Sequence, residues 1–211
     1  MDNFPDEMFF WIYNDAGGPN TSTQAIAIRM EVQVQAFAYA TNDEINNMTF
    51  YRYKMINRAE QSLDSAFFAM WVDGDLGCDG DDYIGCDTSL SLMVLYNEDE
   101  IDGDVGSTCN CASNAPTYCN EVPVLGVDYF RGPLGPKKFN DDGTLRNPNL
   151  GELPDTIVEL GMSSFTYYNR QGGPGNWPAP MTDPQNGVEY YNYISGSWRN
   201  GVPFTFGGSG F

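Results

Sequence analysis

The residues best suited to chemistry in this chain are the carboxylates between Trp71 and Gly106. No Lys or Arg occurs between Arg58 and Arg131, so these acids have no basic neighbour in the sequence. Crowded carboxylates need a counter-charge or open water. Calcium takes six to eight oxygen ligands, and carboxylates, carbonyls and waters all serve. The stretch therefore predicts a bound hard cation, with calcium as the first candidate.

Two short segments of this stretch repeat the same pattern, DGDLG at 73–77 and DGDVG at 102–106. Aspartates at i and i+2 can point to one centre, while glycine permits a tight turn around it. The pattern is not an EF-hand, because Gly77 stands at the fifth ligand position. Oxygen-only ligands favour calcium over zinc, and magnesium retains its waters. The predicted calcium ligands are Asp73, Asp75, Asp81, Asp82, Asp87, Asp102 and Asp104.

The two segments are predicted to form separate ion sites. A single strand, Leu90–Tyr96, is expected between them, and one strand would place them at opposite ends of a sheet. The last two predicted ligands, Asp102 and Asp104, would then belong to a second site. A solvated acidic loop without any ion is the alternative that the sequence leaves open.

All five cysteines fall between Cys78 and Cys119, in loops rich in Gly, Asp and Asn. Such clustering is typical of disulfides and of an oxidising compartment. The odd number leaves a free thiol or an intermolecular bond. A bridge from Cys78 to Cys86 would hold the aspartates between them in place. The residues predicted to form disulfides are Cys78, Cys86, Cys109 and Cys119.

Charge and composition exclude several classes of function. The net charge of −19 argues against nucleic acid as a partner, because binding to phosphate depends on cationic groups. It also argues against anionic membrane surfaces. The chain has no His, which removes the Ser-His-Asp and Cys-His catalytic arrangements and His-ligated zinc. No apolar run approaches the ~20 residues that membrane insertion requires.

Aromatic residues of the last third suggest ligand binding. Exposed rings can stack on sugars, and Trp177, Tyr191 and Trp198 are the candidates, with Trp177 in a Pro/Gly-rich loop. The alternative is that these rings belong to strand faces and the core. Paired carboxylates could also hydrolyse a glycosidic bond. The sequence selects no such pair, so a catalytic residue is not predicted.

The elements that must position these residues are predicted to be strands. Alternation with period two runs from Ala25 to Thr41, and no long segment has apolar residues at i, i+3, i+4 and i+7. The fold class is therefore predicted as all-β, an antiparallel β-sandwich of jelly-roll type with long loops, formed by a single domain over residues 1–211. The segment Glu152–Leu160 fits either a strand or a short helix. The other predicted strands are Met8–Tyr13, Met48–Arg58, Ser65–Val72, Leu90–Tyr96, Val122–Phe130, Ser163–Asn169, Tyr190–Arg199 and Val202–Phe206.

Three stretches carry a resemblance to a known group of proteins. They are AFAYATNDEINNMTFYRYKMINR at 36–58, FFAMWVDGDLG…DDYIGCD at 67–87 and YYNYISGSWRNGVPFTFGG at 190–208. Together they resemble a region of large secreted or cell-surface proteins of Bacteroidota that are exported by the type 9 secretion route. The resemblance implies an extracellular setting and a modular parent protein. It implies no defined activity and no catalytic residues.

The chain is expected to be a piece of a longer secreted protein. It shows no signal peptide at its start and no separate sorting domain at its end. The leading hypothesis is a secreted or surface β-sandwich, stabilised by calcium and disulfides, with a role in adhesion or recognition. Its expected partners are a glycan or a surface protein, together with other modules of the parent chain. The alternatives are a carbohydrate-binding module and a glycan-active enzyme domain.

Overall fold

The computed structural model describes residues 4–18, 20–103, 109–112, 117–136, 157–170 and 177–205. These residues form three antiparallel sheets, ordered β1-β2-β3, β4-β5-β6 and β7-β8, and one short α-helix. The predicted all-β class is confirmed, while the sandwich arrangement stays a prediction. The elements are β1 Glu7–Asn14, β2 Met30–Ala38, β3 Thr49–Asn57, β4 Asp82–Asp87, β5 Leu92–Asn97, β6 Leu125–Asp128, β7 Leu134–Pro136, β8 Ile157–Glu159 and α1 Gly187–Ile194.

The chain packs as two compact units. The first contains Met1–Phe67 and Pro184–Tyr191, and the second contains Phe68–Asp183 and Asn192–Phe211. The single domain over residues 1–211 stays a prediction. In the described part of the chain, no helix has the length and apolar character that crossing a bilayer would require.

The first unit contains the sheet β1-β2-β3. Its central strand, β2, has the alternation that the sequence predicts, because Val34 and Ala36 on one face are buried and Gln35 between them is less so. The register pairs Trp11 with Val34 and Val34 with Tyr53, so these three side chains share a face. All residues of β1 are exposed. This sheet therefore presents a large apolar surface to solvent.

The second unit is organised around the sheet β4-β5-β6. Met93 and Leu95 alternate along β5 onto the buried face and pack with Leu76. Asn97 follows them on the same face, because successive residues of one face are two apart. The core of this sheet thus ends in a polar residue at the last position of β5.

Strand β4 was not predicted, because its Gly- and Asp-rich surroundings indicated a loop. It pairs along its whole length with β5, from Asp82 opposite Asn97 to Asp87 opposite Leu92. The chain therefore enters β4 and returns along β5 as a hairpin. Both acidic segments consequently meet at one end of this hairpin, and the prediction that they lie at opposite ends of a sheet is wrong.

The predicted strand at Ser65–Val72 does not form. Ser65 has a φ of +55°, outside the extended region, and the backbone N–H of Met70 donates to the hydroxyl of Tyr129 at 2.8 Å rather than to a neighbouring strand. The predicted strands at Ser163–Asn169 and Val202–Phe206 are reduced to isolated bridges at Asn169 and Pro203, with residue 206 outside the described residues.

The predicted strand at Tyr190–Arg199 is wrong, because its first half is the C-terminal part of α1. The Oδ1 atom of Asn186 accepts from the N–H groups of Val188 and Glu189, both at 3.1 Å, and so caps the helix. The Glu189 carboxylate reaches back to the N–H of Gln185 at 2.7 Å. These caps satisfy N–H groups of the first turn that a helix leaves without partners.

Candidate functional site

Asp82 and Asn97 face each other across the open end of the β4–β5 hairpin. The Oδ2 atom of Asp82 accepts from the N–H of Leu76 at 2.8 Å. The amide nitrogen of Asn97 donates to the carbonyls of Asp99 and Ile101 at 3.2 and 3.3 Å. The Oδ1 atoms of Asp82 and Asn97 are buried and have no hydrogen-bond partner among the described residues.

Asp81 lies beside this pair, at the end of the short 3₁₀ turn Asp79–Asp81. Its side chain is only 7% exposed. The Oδ2 atom accepts from the N–H of Gly103 at 2.7 Å, and the backbone carbonyl accepts from the N–H of Glu98 at 2.8 Å. The Oδ1 atom is buried without a partner, as in Asp82 and Asn97.

Asp102 is fully buried and joins three segments of the chain. Its Oδ1 accepts from the N–H of Cys78 at 2.8 Å and its Oδ2 from the N–H of Tyr118 at 2.5 Å. Its backbone carbonyl accepts from the hydroxyl of Thr117 at 2.7 Å. We call Asp81, Asp82, Asn97 and Asp102 together the acidic corner.

Close packing in the acidic corner explains why two positions of the chain are occupied by glycine. Gly77 has a φ of +75°, and a Cβ there would lie 1.9 Å from Oδ2 of Asp102. Gly103 has a φ of +105°, and a Cβ there would lie 2.9 Å from the sulfur of Cys78. Both positions need the left-handed backbone and the small size that only glycine combines. The glycines of the two repeated segments thus let the segments touch.

The electrostatic environments of Asp102 and Asp82 differ. Burial raises the pKa of Asp102, but the N–H groups of Tyr118 and Cys78 lower it, as does the Thr117 hydroxyl, and the pKa lies below its ordinary value. Asp102 is therefore a carboxylate held by hydrogen bonds.

Burial is the largest cause that raises the pKa of Asp82 above its ordinary value. The N–H of Leu76 lowers that pKa, but the charges of the neighbouring acids raise it. The neighbouring acids are Asp81, Asp102 and Asp75. The ion pairs seen in the described residues, Arg58–Glu31 and Arg131–Glu159, involve none of these acids. Among the described residues, no basic side chain forms an ion pair with the acidic corner.

The other predicted metal ligands that the structure describes lie outside the acidic corner. Asp87 lies at the far end of β4, where its Oδ1 accepts from the N–H and hydroxyl of Ser89 and stabilises the turn. Asp73 and Asp75 are exposed. Asp104 lies outside the described residues. Over the described residues, no three Asp, Glu or Cys side chains form a group able to hold a metal ion.

Asn97 is the residue that the sequence analysis missed. An amide oxygen is an ordinary calcium ligand, so the Asn that follows strand Leu90–Tyr96 could have been noted. Its importance depends on its place opposite Asp82, and that pairing required β4 to be recognised.

Two disulfides are present, Cys78–Cys109 and Cys111–Cys119. The predicted participation of Cys78, Cys109 and Cys119 is confirmed. That of Cys86 is wrong, because Cys86 is an exposed free thiol. Cys86 is placed within β4 opposite Met93, one strand length away from Cys78. Disulfides indicate an oxidising compartment.

The three aromatic residues predicted to bind a ligand have different surroundings in the structure. Trp177 is exposed, in the second unit. Trp198, also in the second unit, packs edge-to-face on Phe204 with ring centroids 4.7 Å apart. Tyr191 belongs to the first unit, where its hydroxyl donates to the carbonyl of Ser65 at 3.1 Å. Two of the three rings therefore already have packing or hydrogen-bonding roles.

A different set of rings shares one face of the sheet β1-β2-β3. The register places three aromatic residues of β1 and two of β3 on the face of Val34 and Ala36. Their exposed fractions range from 38% to 66%. The rings of Tyr51 and Tyr53 are nearly parallel, with an interplanar angle of 19°. We call this surface the aromatic face; its rings are Phe9, Trp11, Tyr13, Tyr51 and Tyr53.

No protein-family model matches this chain, and neither a curated protein nor a solved structure matches it. The resemblance to secreted proteins of Bacteroidota therefore stays a prediction.

Proposed function

We propose that this chain is an extracellular recognition module of a larger secreted or cell-surface protein, stabilised by disulfides and calcium. The observation that carries the recognition role is the aromatic face. Large exposed apolar patches commonly mark interaction sites. Its aromatic side chains flank the buried Val34 and Ala36, and they remain exposed to water in the chain alone.

The ligand that the aromatic face favours is a neutral polysaccharide. Among the strand residues of this face, only Glu7 at one end is charged. Tyr and Trp combine an apolar ring with a polar edge, which suits the mixed CH and OH surface of a sugar. A net charge of −19 opposes a second copy of the chain and acidic partners. This supports the carbohydrate-binding alternative with rings other than those first predicted.

The opposite face of the same sheet differs in charge. It carries Arg52 and Lys54 of β3, which lie opposite Gln35 and Gln33 of β2. Phe10 of β1 also lies on this face and is as exposed as the rings of the aromatic face. The two faces of one sheet therefore provide a matched comparison.

The test is binding of the whole chain to neutral and anionic polysaccharides, by glycan array and affinity electrophoresis. The double variant Trp11→Ala/Tyr53→Ala removes the two rings that are paired with Val34, one from each neighbouring strand. The control Phe10→Ala/Arg52→Ala removes the two side chains that are paired with Gln35 on the opposite face. We expect at least tenfold weaker binding for the first variant and unchanged binding for the control, with both folded by circular dichroism.

Equal loss in both variants would overturn the assignment of the aromatic face. Binding of a surface protein through Trp11 and Tyr53, without any polysaccharide, would overturn the carbohydrate assignment while retaining recognition.

Calcium stabilisation is the second part of the proposal. The acidic corner supports it because its carboxylates form no ion pair with a basic side chain in the described part of the chain. A ligand that binds only the native state raises its stability. The melting temperature of the disulfide-bonded chain should therefore be higher with calcium than with a chelator. An unchanged melting temperature would remove calcium from the proposed function.

A further inference from the structure

The acidic corner contains three buried side-chain oxygens without partners. They are Oδ1 of Asp81, Oδ1 of Asp82 and Oδ1 of Asn97. Asp81 and Asn97 are each more than nine-tenths buried, with 7% and 8% exposure. A buried polar atom left without a partner costs free energy, and a buried charge costs more. Each of the three oxygens therefore needs a partner that the described residues do not supply.

The fold brings these three residues to one end of the β4–β5 hairpin. Asp82 and Asn97 are directly opposite in the β4–β5 ladder, which places their side chains on the same face. Asp81 is adjacent, and its carbonyl continues the ladder by accepting from the N–H of Glu98. All three residues thus lie where β4 begins and β5 ends.

The rest of each side chain is already fixed by the protein. Oδ2 of Asp81 is held by Gly103, Oδ2 of Asp82 by Leu76, and the amide nitrogen of Asn97 by two carbonyls. These contacts determine which end of the Asn97 amide is the oxygen. The remaining atoms are all acceptors, so the group that satisfies them must be a donor or a cation.

The chemistry of the set selects a hard cation. It consists of two carboxylates and one amide oxygen, and the sequence supplies no Lys or Arg between residues 58 and 131. Oxygen-only ligands suit calcium or magnesium, and nitrogen or sulfur ligands suit zinc and copper. Calcium accepts carboxylate and amide oxygens together, whereas magnesium usually keeps several waters.

We propose that Asp81, Asp82 and Asn97 bind a calcium ion through their Oδ1 atoms, with water and backbone carbonyls completing the coordination. This rests on the calcium-stabilised module proposed above and identifies its ligands. The third ligand is an amide, which is why no group of three acids is found. Asp102 is a positioning residue here, because it holds the Cys78 segment while the neighbouring Gly103 holds Asp81.

The experiment measures calcium binding to the whole, disulfide-bonded chain by isothermal titration calorimetry, with melting temperatures in CaCl₂, MgCl₂ and EGTA. The variants are Asp82→Asn, Asp81→Asn and Asn97→Ala. The matched control is Asp87→Asn, which removes the same charge from the other end of β4. We expect one calcium per chain, at least tenfold weaker binding in each of the three variants and unchanged binding in the control.

Loss of folding is separated from loss of binding by the melts in EGTA. Asp82→Asn removes a partly buried charge without removing volume, so we expect it to melt in EGTA no lower than the unmodified chain. Calcium should then no longer raise its melting temperature.

Calcium binding with undiminished affinity in all three variants would overturn this site while leaving a calcium-stabilised module intact. No calcium binding by the unmodified chain would overturn both. Equal binding and equal stabilisation by magnesium would overturn the choice of calcium. None of these results alters the polysaccharide test on the aromatic face.

Discussion

The carboxylate of Asp102 accepts a hydrogen bond from the backbone N–H of Cys78 at 2.8 Å, across 24 positions of sequence. This contact joins Cys78, which directly follows the segment DGDLG, to Asp102, which begins the segment DGDVG. Because β4 and β5 form a hairpin between them, the two segments meet at one corner of the second unit. The repeated sequence is therefore one structural feature rather than two.

Gly77→Ala should be strongly destabilising. The added Cβ would meet Oδ2 of Asp102, and alanine would have to adopt a φ of +75°. We expect a loss of about 3 kcal/mol in the free energy of unfolding, measured by urea denaturation. Gly80→Ala is the control, because a Cβ at Gly80 meets no atom within 4 Å. Similar losses in both variants would mean that the contact with Asp102 is unimportant.

Asp102→Asn should destabilise the chain in a pH-dependent way. The amide keeps one accepting oxygen and replaces the other by a donor, so it cannot accept from Cys78 and from Tyr118 through separate oxygens. One unsatisfied buried N–H costs about 1–3 kcal/mol. The pKa of Asp102 is lowered in the folded chain, so its stabilising effect is present above the unfolded value of ~3.9 and is lost as pH falls through the folded pKa.

The difference between the unmodified chain and Asp102→Asn should therefore be largest near neutral pH and smaller below the unfolded pKa. Urea denaturation from pH 7 to pH 3 measures it, with the exposed Asp73→Asn as control. A difference that grows as pH falls would contradict the assigned direction.

The two disulfides should contribute unequally to stability. In the chain-entropy treatment, a disulfide that closes a loop of 31 residues adds about 3.7 kcal/mol to the free energy of unfolding, and one that closes a loop of 8 residues adds about 2.5 kcal/mol. The double variant Cys78→Ser/Cys109→Ser should therefore melt lower than Cys111→Ser/Cys119→Ser. Cys86→Ser should leave the melting temperature nearly unchanged, since its thiol is exposed and unbridged. A large effect at Cys86 would contradict the connectivity.

Asn186→Ala should weaken α1. Its side chain accepts from two N–H groups of the first turn, and loss of such a cap costs about 1 kcal/mol. Val188→Ala in the same turn is the control, because Val188 is exposed and alanine favours helix. Chemical denaturation of both variants should show a loss only for Asn186→Ala; equal stability would refute the capping role.

Binding of polysaccharide to the aromatic face should be insensitive to salt. The face has one charged residue at its end, and screening acts on charges. Affinity measured at 50 mM and 500 mM NaCl should agree within about twofold, since only charged contacts are screened. A steep decline with salt would indicate that Arg52 and Lys54 on the opposite face carry the binding instead.

The strands with strong alternation were predictable from sequence. β2 lies within the predicted strand Ala25–Thr41 because its apolar side chains repeat every second residue over a long run. β5 overlaps the predicted strand Leu90–Tyr96 and extends it by one residue, Asn97. The helix α1 was missed because Tyr190, Tyr191 and Tyr193 favour strands, and the capping contacts of Asn186 and Glu189 outweigh that local preference.

The acidic corner was predictable only in part. Asp81 and Asp82 were recognised from the absence of nearby bases. Asn97 was not, because an uncharged amide at the end of a strand looks like any turn residue until its cross-strand partner is known. Disulfide connectivity cannot be deduced from the spacing of cysteines, so the error at Cys86 follows from the same limitation.

The contact of Asp102 with Tyr118 has a consequence for the order of events during synthesis. A chain emerges from its N-terminus, so Cys86 becomes available to Cys78 before Cys109 and Tyr118 do. The corner that aligns Cys78 with Cys109 cannot close until Tyr118 has emerged, 16 residues after Asp102. Cys86 is thus the first thiol within reach of Cys78 in a nascent chain, and any bridge between them would have to be exchanged for the Cys78–Cys109 bridge of the folded chain. A Cys86→Ser chain lacks this competing thiol, so we expect it to regain the Cys78–Cys109 bridge faster than the unmodified chain when both are reduced and then reoxidised.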